Sequence, residues 1–269
     1  MIKKFIKQAP VIRQLLEVKP VRNMIEYIRR IFNLRLVQGP LTYNQDGLAT
    51  QHNGDFMKDK LFIEAYKLGE ATYRGIKFSA NEGKMHWRIH VLCWAASHAK
   101  HLEGDFVECG VYRGWFSRAV VHYVDFNRLN KKFYLLDTFC GFSEKYTIEE
   151  EKKLGRLPGS RYEECYEGVK KTFKDFPNVK IIRGPIPETL PQADTAKVSF
   201  LSIDMNCVTP EIAAAEFFWD KLVSGAVIVL DDYGWQPYFL QKKAFDKFAK
   251  EKGVEVLSLP TGQGLIFKP

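Results

Sequence analysis

The sequence predicts an α/β fold: a doubly wound, mostly parallel seven-stranded sheet closed by a terminal antiparallel hairpin, with a helical extension before it. Three observations carry this. From residue 104 onward, strand-length apolar runs alternate with helix-length amphipathic segments, the pattern of βα units on a parallel sheet. The first run feeds a glycine-rich turn, Glu108-Cys109-Gly110-Val111-Tyr112-Arg113-Gly114. The last two runs, Val254 to Leu259 and Gly264 to Phe267, are separated only by Pro260-Thr261-Gly262-Gln263. That connection is too short for a crossover helix, so these two strands must pair antiparallel.

A chain of 269 residues can bury a full core, and the pattern divides it into a basic helical extension, 1–84, and an α/β domain, 85–269. The net charge of +8 is concentrated at the start: residues 1–35 hold nine Lys/Arg against Glu17 and Glu26, which is +7 and leaves +1 for the rest. A nucleic-acid enzyme would spread basic residues around its cleft, so no nucleic-acid partner is expected. Cys93, Cys109, Cys140, Cys165 and Cys207 are odd in number and never spaced Cys-x-x-Cys, which argues against a disulfide framework or a zinc site and fits a reducing cytoplasm. No apolar run reaches the roughly 20 residues of a spanning helix, and no signal-peptide pattern is present.

Within the extension, Ile2 to Leu36 reads as two or three short amphipathic helices broken at Pro10 and Pro20. The basic face is either simply solvated or a contact for an anionic membrane or glycolipid surface, placing the protein peripherally at the inner membrane face. Residues 38–56, rich in Gly-Pro, Asp-Gly and Asn-Gly, read as a connecting loop, and Met57 to Arg74 resumes helical spacing. Met85 to Leu102 forms a long helix with an Ile89, Leu92, Cys93, Ala96, Ala99 stripe. It carries His86, His90, His98 and His101, but no third ligand at a recognisable spacing argues for a metal there.

Asp105 to Cys109 is the first strand of the domain, and the glycines after it can expose backbone N–H groups to a ligand, although an ordinary tight turn explains the same spacing. Trp115 to Asn127 is the helix that follows. Lys132 to Asp137 is the second strand, and an acid at its end suits either ribose hydroxyls or a turn cap. Residues 140–160 have the composition of a lid, followed by a helix from Arg161 to Phe176. Val179 to Arg183, Lys197 to Asp204 and Gly225 to Asp232 complete the parallel strands; Glu211 to Leu222 and Gln236 to Lys252 are helical.

Four motifs in order make a resemblance specific: Gly-Asp-Phe-Val-Glu-Cys-Gly-Val-Tyr-Arg-Gly (104–114), Asp-Thr-Phe-Cys-Gly-Phe (137–142), Gly-Pro-Ile-Pro-Glu-Thr-Leu-Pro (184–191) and Asp-Asp-Tyr-Gly (231–234). In this arrangement the chain resembles the class I S-adenosylmethionine-dependent methyltransferases, and within them the macrocin O-methyltransferase family, over residues 85–269. The resemblance implies methyl transfer from S-adenosylmethionine to a hydroxyl, usually on a sugar, with magnesium in the site. It implies Glu108, Gly110 and Gly114 at the methionine moiety and Asp137 at the ribose. Tyr112, Thr138, Phe139 and Gly184 fall beside them in the same motifs and count with the cofactor. It puts Asp204, Asp231 and Asp232 on the metal, Asp204 also serving as catalytic base. One segment departs: the family follows the first metal acid with a hydrophobic residue, Tyr, an acid and Ser/Thr, whereas Asp204 here is followed by Met205-Asn206-Cys207-Val208-Thr209.

The residues support the metal independently. Asp204 and the Asp231–Asp232 pair end neighbouring strands, so three carboxylates meet at the edge where open α/β sheets bind ligands. Hard oxygen donors suit magnesium, and clustered anions need a cation or shared protons to offset their repulsion; separate loop caps are the plainer alternative. The expectation is a magnesium-assisted O-methyltransferase acting on a sugar hydroxyl of a glycoconjugate, polysaccharide precursor or natural product, compatible with a homo-oligomer. A phenol or catechol methyltransferase and a catalytically idle nucleoside-binding scaffold held at membranes are the competing readings.

Overall fold

The computed structural model describes residues 41–73, 84–159 and 162–269, with Pro20 and Met24. The helices read in the basic arm, and their membrane role, rest on residues outside that description. By packing, the chain forms two units, 1–42 with 50–52, and 43–49 with 53–269. The sheet and the site belong to the second.

That unit opens on a hairpin, β1 (Tyr43–Gln45) and β2 (Leu48–Thr50), where the sequence reading has a loop. Asp46 and Gly47 both take positive φ, 52° and 70°, the mirror-image turn whose twist matches two flanking strands. The Asp-Gly pair is therefore a hairpin signal between very short strands. Helix α1 (Lys60–Glu70) is capped by Asp59, whose side chain accepts the Phe62 N–H at 2.8 Å. It buries Phe62, Ala65 and Tyr66 in one core with Ile89, Leu92 and Trp115, so the boundary drawn at 84/85 does not separate two cores. Each of those aromatic burials stabilises by roughly 1.5–3 kcal/mol. Helix α2 (His86–Ala99) buries the stripe read from sequence. His86 stacks on Tyr66 at 4.1 Å between ring centroids and His90 on Phe56 at 3.9 Å, so both rings serve as aromatic packing.

The domain proper runs β3 (Asp105–Cys109), α3 (Trp115–Tyr123), β4 (Phe133–Asp137), α4 (Glu149–Lys153), α5 (Tyr166–Phe173), β5 (Val179–Arg183), β6 (Val198–Ile203), α6 (Val208–Trp219), β7 (Leu222–Leu230), α7 (Phe239–Lys252), β8 (Leu257–Ser258) and β9 (Gly264–Phe267). The seven strands order as β5-β4-β3-β6-β7-β9-β8, with β9 antiparallel to both β7 and β8. Two apolar layers cover the sheet, and the central strands β3 and β6 and the second half of β7 are buried on both faces, in keeping with their mostly apolar sequences. Among the described residues, no helix is long and apolar enough to cross a membrane.

Strand order reverses between β3 and β6, and at such a switch point the connections leave in opposite directions and open a crevice beyond the carboxyl ends. One hydrogen bond past each strand ties the rim together: Gly110 N–H to Leu136 O, Gly184 N–H to Asp137 O and Asp204 N–H to Cys109 O, each at 2.9 Å, and Asp231 N–H to Ile203 O at 3.1 Å. The residues just beyond the strands are thereby fixed relative to one another.

Candidate active site

A cavity of about 700 Å³ occupies this crevice. Glu108, Gly110, Tyr112, Asp137, Thr138 and Gly184 line one end, and Asp204, Asp231 and Asp232 the other. Of the residues assigned from sequence, Gly114 and Phe139 are not in the wall.

Gly110 has φ 89°, and a Cβ there would lie 1.9 Å from the Asp204 carbonyl oxygen. The glycine is needed for the close approach of two strand ends, before any ligand is considered. Gly114, φ 84°, precedes α3, and a Cβ would meet the Phe173 ring at 2.8 Å. Its Cβ side is filled by the packing of α5 against the helix start. Phe139 is fully buried; its contribution to the rim is its N–H, donated to Asp137 Oδ1 at 2.6 Å.

Asp137 Oδ2 accepts the Val111 N–H at 2.6 Å and the Tyr112 N–H at 2.7 Å. Two consecutive amides converging on one oxygen form an anion-binding concavity, and here the chain fills it with its own carboxylate. The amides expected to face a ligand are thus engaged by Asp137 at these two positions. Beneath them Glu108 is buried, and its Oε1 has no hydrogen-bond partner. Burial, with Asp204 and Asp137 nearby, holds its pKa well above the ordinary range despite the Ser117 hydroxyl.

At the other end, one oxygen each from Asp204, Asp231 and Asp232 lies within 4.8 Å of the others. Burial first, then the carboxylates of Asp231 and Asp232, push Asp204 well up, against Arg88. The side chains that hold this trio come from distant segments. Arg88 of α2 donates through Nη1 to Asp231 Oδ2 and, from Nε and Nη2, to Asp46 at 2.8 and 3.1 Å. Gln263 donates Nε2–H to Asp231 Oδ1 at 3.0 Å. Asn206, φ 60°, donates Nδ2–H to Asp204 Oδ1 at 2.9 Å and accepts the Tyr238 hydroxyl at 2.6 Å. Sequence reasoning missed Arg88, Asp46, Asn206 and Gln263. Arg88 alone left a signal: it stands three residues after Met85 and four before Leu92, a basic residue inside an apolar stripe.

The segment read as a lid contributes Gly141, Phe142, Ser143, Tyr146 and Thr147 to the wall. Its helix α4 is anchored by the fully buried Glu151, which accepts the Val208 N–H at 2.7 Å and so caps α6.

The family model described as Macrocin-O-methyltransferase (TylF) matches residues 86–257, well over half of the chain. The chain belongs to the macrocin-O-methyltransferase family. A curated relative from Streptomyces olivaceus, 8-demethyl-8-(2,3-dimethoxy-alpha-L-rhamnosyl)-tetracenomycin-C 4'-O-methyltransferase, is 26% identical over 146 residues, 50% of this chain. The match spans only 55% of that relative's length. Among solved structures, the O-methyltransferase NovP superposes with a TM-score of 0.63 at 17% identity, over 77% of this chain and 97% of that one. CalS11, a calicheamicin methyltransferase, gives 0.52 at 13% identity, over 87% and 99%. These likenesses carry the fold, a mostly parallel seven-stranded methyltransferase sheet with antiparallel edge strands.

The donor set at each end suits what this family implies. A nitrogen cation fits beside the partnerless Glu108 oxygen, and three carboxylates, two of them buried, offer the hard, anionic oxygens a small dication requires.

Proposed function

We propose that this chain transfers the methyl group of S-adenosylmethionine to a sugar hydroxyl of a natural product or glycoconjugate, with magnesium held by Asp204, Asp231 and Asp232. The observation that carries the reading is one cavity with the glycine turn at one end and the carboxylate trio at the other. The Streptomyces olivaceus relative, which methylates a rhamnosyl group, supports the sugar.

The cofactor brings an electrophilic methyl carbon, and a bound dication makes a coordinated hydroxyl more acidic. The remaining work belongs to the side chains. Glu108 receives the ammonium end of the methionine moiety, which relieves the cost of burying a carboxylate there. Asp137 and Thr138 face the ribose; since Asp137 already accepts three backbone amides, it shares its lone pairs with a ribose hydroxyl. Asp204 takes the proton that the acceptor hydroxyl loses, and the Asn206 amide on its Oδ1 fixes the carboxylate's orientation. Tyr73, Tyr112, Tyr162, Trp235 and Tyr238 wall the space between and exclude water.

The test is transfer of labelled methyl from S-adenosylmethionine to a panel of rhamnosides and catechols, with and without chelator. Labelled rhamnosides, loss of turnover in chelator and retained S-adenosylhomocysteine binding in calorimetry are expected. Asp204→Asn should slow transfer by about 10²- to 10⁴-fold in a folded protein. Full turnover in chelator rejects the metal, and catechols labelled in place of sugars move the acceptor to phenols.

A further inference from the structure

Arg88, at the carboxylate end, is left unused by the methyl-transfer reading. Its guanidinium is enclosed: the side chain is 14% exposed, those of its partners Asp46 and Asp231 8% and 2%, and the rings of Phe116 and Trp235 lie 5.9 and 5.7 Å from Cζ. The fork grips Asp46, at the tip of the β1–β2 hairpin, with two N–H groups, while the third donor reaches across to Asp231 Oδ2. The other Asp231 oxygen accepts from Gln263. Among the described residues, Asp231 therefore presents no oxygen to the trio that is not already bonded to a donor.

We propose that Arg88 is the resident counter-cation of the Asp204, Asp231 and Asp232 cluster, and that a divalent cation binds there by exchanging with the Arg88–Asp231 bond. Three carboxylates crowded within 4.8 Å would repel one another strongly in a buried site, and an oxygen-only dication site normally relies on its metal to hold it together. Here a fixed positive charge does that before any metal arrives. The guanidinium suits the task because it cannot lose its proton and because Asp46 retains it by two bonds when the third is given up. Exchange thus moves one hydrogen bond and leaves the arginine paired on the hairpin. The same charge opposes an entering dication, so Arg88 stabilises the empty site and weakens the filled one. Arg88 is a positioning residue: it acts on the acceptor only through Asp231. This inference rests on the magnesium reading above.

Magnesium binding to the full chain, measured by calorimetry and by thermal shift, tests it. Arg88→Gln removes the competing charge, and it should bind magnesium about tenfold tighter or more than the unchanged chain. Its melting temperature without magnesium should fall and be restored by magnesium. Arg88→Lys keeps the charge with poorer geometry, and it should bind at least as tightly as the unchanged chain. Recovery of folded Arg88→Gln only in magnesium supports the proposal. If that variant folds under neither condition, Arg88→Lys decides: equal or tighter binding supports exchange, weaker binding overturns it. Weaker binding by both variants overturns it too, since Arg88 would then hold Asp231 in place for the metal. Absence of magnesium binding in the unchanged chain and in Arg88→Gln alike defeats the magnesium reading itself, and the exchange with it.

Discussion

The two ends of the cavity are built on different principles. At the turn after β3, the bonds that clasp it run from backbone to a side chain or backbone within 30 residues: Asp137 to the amides of Val111, Tyr112 and Phe139, and Gly110 N–H to Leu136 O. At the carboxylate end the holding groups are side chains from remote segments, Arg88 lying 143 positions from Asp231. The clasp at the first end is a property of one βαβ unit. The second exists only when five separate parts of the chain have come together. Backbone bonds hold the first, whereas the second is held by ionisable side chains gathered in a dry place.

The largest effect that separates the two ends is expected at Gly110. Alanine there would press a methyl carbon 1.9 Å from the Asp204 carbonyl oxygen at a φ of 89°. Gly110→Ala should destabilise the ligand-free protein by more than about 4 kcal/mol or prevent folding. Chemical denaturation measures this. Unchanged stability with weakened cofactor binding would return Gly110 to the purely ligand-facing role read from its motif.

A smaller effect is expected at Asp137. Asp137→Asn replaces one acceptor oxygen with an NH2 group that faces amide donors, so stability should fall by about 2–3 kcal/mol even without cofactor. Thermal and denaturant unfolding of the ligand-free variant check it. A variant as stable as the unchanged chain that merely binds S-adenosylhomocysteine more weakly would make Asp137 a ribose ligand first and a turn clasp second.

The third effect is one of slope. Glu211 on α6 is pushed up to about 8 by burial first and by Asp204 second, against backbone bonds from Met205 and Asn206. In the unfolded chain it would titrate near 4.5. Between these values the metal-free folded chain holds a proton that the unfolded chain has lost, so stability declines as pH rises through that window. One group contributes at most about 1.4 kcal/mol per pH unit. Asp204 and Asp231 are raised too and add slope of the same sign, so Glu211→Gln should flatten the decline without abolishing it. Parallel profiles for variant and unchanged chain between pH 5 and 8 would remove Glu211 from the account.

How much of this was readable follows from the same contrast. Strands β3 and β5 fall at the positions read from sequence, because a short apolar run is a local pattern whether the strand is central, as β3 is, or at the sheet edge, as β5 is. The antiparallel ending was forced by a four-residue connection, and the convergence of Asp204 with Asp231 and Asp232 followed from strand order. Helix ends were less legible: α3 stops at Tyr123 and α5 begins at Tyr166, because chain reversals and the lid take residues that periodicity alone would keep helical. Gly114 was ambiguous because a positive-φ glycine looks the same in sequence whether it admits a ligand or makes room for a neighbouring Phe173 ring. The Arg88–Asp46–Asp231 chain was invisible, since nothing in spacing couples a hairpin tip, a helix and a strand end.

The Arg88 linkage also has a history within each molecule. A chain made from its N-terminus supplies Asp46 and Arg88 early, then the whole of the turn after β3, and only much later Asp231 and Gln263. Local contacts close before distant ones because their loop-closure entropy is smaller. The growing chain can therefore close the Asp137 clasp on the turn while the arginine waits on the hairpin with one hand empty. Assembly of the carboxylate end is then a docking event in which the later strands meet a cation already aimed at the place Asp231 will occupy.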